Sequence, residues 1–169
     1  MSRFAATEER LRVTRRKHRG FPRDAAALIR LVKLLHKLIH DNANAVLRDY
    51  GLTHPEYNVL MMLDGSEDGM AVSALAEAAG EKSANMTRLT TQLVDKGLIT
   101  RAASESDRRM LVLRLTGDGE ALIERVLPAI TRQLRGYVGD LDGAAQAELE
   151  ALLKRLLAGV EAASTPERG

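Results

Sequence analysis

The stretch KSANMTRLTTQLVDKGLITRAASESDRRMLVLRLTGDG, Lys82 to Gly119, decides the fold. Its first half reads as a short helix. Met86 and Leu89 turn inward, and Gly97 closes the element. The second half changes period. LITRAA and MLVLRL bracket a polar turn and predict a two-stranded hairpin, with Leu111, Leu113 and Leu115 on one face of its second strand. At the tip sit Asp107, Arg108 and Arg109, two adjacent guanidinium groups beside one carboxylate.

Upstream, VSALAEAAG predicts another short helix, capped by Ser73 and stopped by Gly80. Ala76 leaves room for a close helix crossing, and Leu75 and Ala79 join Met86 and Leu89 in a small core. Before that, LTHPEYNVLMMLDG predicts a helix over 55–63. Thr53 and Glu56 stand at capping-box spacing, and Pro55 suits a first turn. Residues 24–50 carry Leu28, Val32, Leu35, Ile39, Ala43, Val46 and Tyr50 at steps of three and four, which predicts a long amphipathic helix. Leu31, Leu34 and Leu38 widen its stripe, so the helix is expected to pack on two sides. Downstream, residues 118–138 return to helical spacing, with a kink expected at Pro128. A last helix is expected over 144–160, with Leu149, Leu152, Leu153, Leu156 and Leu157 as its stripe. Residues 1–23 read as a basic, flexible arm and 161–169 as a frayed tail. The fold class is mainly α with a small β-hairpin wing. It is a winged helix-turn-helix lobe over 53–116 between helical arms, in one domain over 24–160.

Charge is uneven along the chain. Residues 1–23 hold eight Lys/Arg against two Glu, and residues 80–116 hold seven against four acidic residues, within a formal net charge of +2 for all 169 residues. Clustered cations on the hairpin and its preceding helix suit a polyanion. On that helix Lys82, Ser83, Ala84, Thr87, Arg88 and Thr91 face outward and none is acidic. Short side chains allow close approach to a major groove, and the hydroxyls and cations supply donors for bases and phosphates. Asn85 falls between core and groove by its angular position. In this reading Ser83, Asn85, Thr87 and Arg88 lie near base edges. Arg109 enters the narrow minor groove, Arg108 meets phosphate or supports the loop, and Asp107 braces the arginines. The alternative is a non-enzymatic helical module whose 80–116 surface binds an acidic protein.

Several classes are excluded. There is no cysteine, which removes disulfides, thiol catalysis and thiol redox sensing. No glycine-rich phosphate loop, GxSxG or HExxH occurs, so no enzyme is expected, and no cofactor. No leader and no membrane-spanning run is visible, so a cytoplasmic protein with no membrane partner is expected.

DRRMLVLRLTGDG resembles the wing signature of the MarR family of bacterial regulators, through Asp107, Arg109, Leu115, Thr116 and Gly119. SANMTRLTTQLVDKGLITR resembles that family's recognition helix running into the first wing strand. FPRDAAALIRLVKLLHKL and RVLPAI further resemble the multidrug-efflux repressors of the EmrR/MprA type. The likeness covers residues 24–160. It implies a homodimer joined by helices 24–50 and 118–160 and bound to double-stranded DNA at a palindromic operator. It also implies a repressor of a multidrug-efflux or stress-resistance operon, released by a small aromatic or phenolic ligand in a crevice between the dimerisation helices and the DNA-binding lobe. His36, His40, Tyr57 and Met61 are placed in that crevice, since imidazole can donate to a phenolate and methionine adapts to varied rings. His36 and His40 share a helix face at metal-ligand spacing, but Asp41, the neighbouring carboxylate, points elsewhere, and no metal site is expected.

Overall fold

The computed structural model describes residues 3–103 and 111–164. The chain divides into two compact units, Met1–Val126 and Leu127–Gly169.

The N-terminal segment is a helix, α1 (Ala5–Lys17), and not a flexible arm. Glu8 lies in its first turn and Arg15, Arg16 and Lys17 in its last, the arrangement that complements a helix dipole. Leu11 is 1 % exposed and anchors the helix, which packs on α2 (Arg23–Leu47). One buried leucine is too little for a periodic signal, so the sequence pattern hides this helix. In α2 the residues buried are Ala43 and Leu47, while Leu28 and Leu35 remain 56 % and 47 % exposed.

A 3-10 turn (Arg48–Tyr50) leads to α3 (His54–Asp64). The expected capping box is present. Glu56 N–H donates to Thr53 Oγ1 at 3.4 Å, and Thr53 N–H donates to Glu56 Oε2 at 2.8 Å. Glu56 is buried, and its Oε1 accepts from Lys96 Nζ at 2.7 Å. Lys96 also donates to the Gly51 carbonyl at 2.9 Å. Burial pushes the Glu56 carboxyl up, but the hydrogen bonds from Lys96 and Thr53 outweigh it and leave it below the ordinary value.

A short strand, β1 (Met70–Ala71), precedes α4 (Val72–Ala79). Ala71 occupies the N-cap, so Ser73 lies inside the helix and is not its cap. Gly80, at φ 62°, makes the left-handed turn into α5 (Ser83–Asp95). Leu75, Met86 and Leu89 are buried as the sequence predicts, with Ala76 buried at the crossing, while Ala79 is only half-buried.

The hairpin is part of a three-stranded antiparallel sheet, in the order β1, β3 (Leu111–Leu115), β2 (Ile99–Ala103). Ile99 pairs with Leu115 and Ala103 with Leu111, while Met70 pairs with Leu113. Leu113 is fully buried and Val112 nearly so, but Leu111 is 54 % exposed, so the three leucines do not share one environment. β1 is two residues long, too short for an alternating pattern to reveal it.

α6 (Gly117–Tyr137) begins against the sheet and runs on through Pro128. Thr116 Oγ1 accepts from Gly119 N–H at 3.0 Å and donates to the Gly97 carbonyl at 2.7 Å. A Cβ at Gly119 would stand 2.2 Å from the Leu98 carbonyl oxygen, so no side chain fits there. α7 (Gly143–Ser164) extends past the expected end of the helix, into the segment whose composition predicts a frayed tail. None of its residues is buried.

Glu56→Gln keeps an acceptor but removes the charge facing Lys96. The variant is expected to lose about 1–2 kcal/mol at neutral pH. The folded carboxyl titrates below its ordinary range. Its stabilisation is therefore complete above that range and is lost as pH falls through the folded value. Denaturant melts of the two proteins should differ near neutrality and converge in acid; a constant gap at all pH values contradicts the assignment.

Candidate nucleic-acid interface

Each residue of α5 advances about 100° around the axis. Met86, Leu89, Thr90 and Leu93 are buried, which fixes the opposite side as the free face. Lys82, Ser83, Ala84, Thr87, Arg88 and Thr91 are exposed there, and Asn85 is half-buried at the edge. Lys82 at the N-cap makes no side-chain cap and the first turn holds no acidic residue, so the helix dipole presents its positive end there.

The face is ordered along two edges. Along one, Asn85 Nδ2 donates to Glu81 Oε2 at 2.6 Å, and Arg88 donates to Asn85 Oδ1 at 2.9 Å and to Gln92 Oε1 at 3.0 Å. Along the other, Thr87 donates to the Ser83 carbonyl and Thr91 to the Thr87 carbonyl. Arg101 on β2 reaches across to Thr91 Oγ1 at 2.8 Å, tying the hairpin to the helix. Sequence reasoning missed Glu81, Gln92 and Arg101. Gln92, four residues after Arg88, carried a helical-spacing signal that could have found it; Arg101 depends on strand register and carried none. Asp107, Arg108 and Arg109 lie outside the described residues.

A cavity of about 300 Å³ lies against the inner side of α5, where Met86 and Leu89 line it. His36 and His40 of α2 line it with His54, Asn58 and Met62 of α3, and with Glu81. Tyr57 and Met61 are not among its lining residues. Asn58 and Met62, each one residue further on and so about 100° around the helix, line it instead. A second crevice of about 600 Å³, lined by His40, Asn44, Arg88, Gln92 and Lys96 among others, shares His40 with the first.

The three imidazoles form a cluster. His36 and His40 stack at 6.3 Å between ring centroids, and His40 and His54 meet edge-on at 5.2 Å. The Nδ1 atoms of His40 and His54 are 3.2 Å apart, so one must carry the proton and the other accept it. Burial and then the charges of His40 and His36 hold the His54 pKa below its ordinary value. Asn44 bridges the two helices, accepting from His54 N–H at 2.8 Å and donating to the His40 carbonyl at 3.0 Å. Among the described residues no group of three or more His, Cys, Asp or Glu is placed to hold a metal ion. No described helix is long and apolar enough to cross a membrane.

The MarR family model matches residues 52–111. The transcriptional repressor MprA of Escherichia coli strain K12 is 29 % identical over 157 residues, 92 % of this chain and 89 % of that protein. The HTH-type transcriptional repressor Mb2911 of Mycobacterium bovis is 30 % identical over 133 residues, 79 % of this chain and 95 % of that protein. The crystal structure of a mutant MarR from E. coli, complexed with operator DNA, superposes with a TM-score of 0.71. It is 24 % identical, covering 79 % of this chain and 96 % of that one. The chain belongs to the MarR family, a family of transcriptional regulators and not of enzymes.

The lowered His54 pKa sets a further expectation. A folded state that binds the proton less tightly than the unfolded chain is fully stable above the unfolded value. It loses that stability as pH falls below about 6.5. Thermal melts should show a drop in Tm between neutral and mildly acidic solution, and His54→Gln should shrink it. An unchanged acid slope in the variant contradicts this.

Proposed function

We propose that the chain is a homodimeric repressor that binds a palindromic operator through α5 and the hairpin wing, and that a small aromatic or phenolic molecule releases it. The observation that carries this reading is the free face of α5. Its short side chains and its preset Arg88 suit a major groove. The resemblance to a protein solved on operator DNA supports it, and the resemblance to MprA supports control of a multidrug-efflux or stress-resistance operon.

Two sets of apolar side chains support the dimer. α7 buries none of its residues, and Leu149, Leu152, Leu153 and Leu157 stand 44–56 % exposed. In the first unit, Leu28, Leu31 and Leu35 of α2 are exposed in the same way. Burying such stripes against a second copy stabilises by about 25 cal/mol per Å². A two-fold axis then sets two α5 helices about 34 Å apart, in successive major grooves.

The histidine-lined cavity supports the ligand. Imidazoles can donate to a phenolate or carboxylate, and Met62 and Met86 adapt to a ring. Glu81 lines this cavity and Arg88 lines the neighbouring crevice, and both belong to the hydrogen-bonded edge of α5. An occupant that rearranges these groups biases the protein between DNA-competent and incompetent states.

A gel-shift titration tests the reading. One palindrome should bind well above random duplex, with affinity falling steeply as salt rises. No preference over random DNA favours a module that binds an acidic protein. Arg88→Ala and Arg109→Ala should each weaken operator binding by about 1–3 kcal/mol and leave the dimer intact. The double variant Leu152→Glu, Leu153→Glu should sediment as a monomer and lose the operator. A wild-type-like dimer in that variant removes α7 from the interface.

A further inference from the structure

We infer that Asn85 reads an adenine, and that Glu81 is the positioning residue that decides which way round Asn85 presents its amide. The inference rests on the DNA-binding reading above and deepens it.

A side-chain amide has a donor end and an acceptor end, and rotation by half a turn about its last bond exchanges them. On α5 the exchange is blocked from both sides. The Glu81 carboxylate can only accept, and it holds Asn85 Nδ2 at 2.6 Å. The Arg88 guanidinium can only donate, and it holds Asn85 Oδ1 at 2.9 Å. In the reversed amide an N–H would face the guanidinium and an oxygen would face the carboxylate, so both contacts would be repulsive. Arg88 is itself held on its far side by Gln92 Oε1 at 3.0 Å, which keeps the guanidinium from swinging away.

The locked amide still has capacity. Nδ2 keeps one N–H and Oδ1 keeps one lone pair. One donor beside one acceptor complements the N7 and N6–H of adenine in the major groove. Guanine offers two acceptors there, N7 and O6, and leaves Oδ1 facing an acceptor. The Glu81 charge repels phosphate. Its hold on Asn85 has to outweigh that repulsion to favour the operator, and the two effects separate experimentally.

The test uses the full chain and a randomised duplex pool. Wild type, Glu81→Gln and Asn85→Ala each select their preferred duplexes, and the selected sites and random duplex are then titrated side by side. Glutamine can donate as well as accept, so the variant frees the amide to turn. Wild type should recover a motif with an adenine at one position of each half-site, and both variants should lose it. Discrimination at that position, roughly ten- to hundredfold in wild type, should shrink to a few-fold in Glu81→Gln. Binding of random duplex by Glu81→Gln should hold or rise, since one negative charge leaves the interface. A parallel loss of selected-site and random binding marks Glu81 as merely structural and overturns the inference. So does an unchanged motif from either variant. If wild type recovers no motif, the DNA-binding reading falls and this inference with it. If wild type recovers a motif that the variants share, only this inference falls.

Discussion

One buried carboxylate organises the first unit. Glu56 Oε2 accepts from both the N–H and the hydroxyl of Thr53, and Oε1 accepts from Lys96. Lys96 follows the last residue of α5 and spends another N–H on the Gly51 carbonyl. A single side chain therefore starts α3, closes the corner after α2 and holds the far end of α5. Burying the charge is costly in itself. Here every lone-pair direction in use finds a donor, and no buried side-chain polar atom among the described residues lacks a partner. The pose of α5, on which any reading of a groove depends, is set at its C-terminus by an ion pair and at its N-terminus by the left-handed turn at Gly80.

Much of this frame is legible in the sequence, because it rests on local rules. The spacing of apolar residues gave away α2, α6 and α7. Thr53 and Glu56 announced the start of α3, and Gly80 the turn before α5. The outward residues of α5 could be read because burial of Met86 and Leu89 leaves only one free side. What stayed hidden depends on distance in the chain or on fine phase. α1 has a single buried anchor, Leu11. β1 exists only because β3 lies beside it. Tyr57 and Met61 missed the cavity by one step of helix, and His54 entered it because α3 meets α2 at the level of His40. Arg101 finds Thr91 through strand register.

The cavity and the hydrogen-bonded edge of α5 share a residue. Glu81 lines the first and accepts from Asn85 of the second. His40 borders both crevices, and Arg88 lines the larger one while standing on the helix's outer side. Such sharing links the proposed ligand and the proposed DNA contacts through side-chain hydrogen bonds, without requiring α5 to move as a whole.

The contact at Gly119 has a consequence of another kind. Its backbone lies so close to the Leu98 carbonyl that even a methyl group is excluded, and Thr116 bolts the same corner to Gly97. The passage from the sheet into α6 is thus a welded joint. Over generations of descent, loops elsewhere can lengthen or shorten, but a residue gained or lost between positions 116 and 119 would break the weld, and lineages carrying one should be missing.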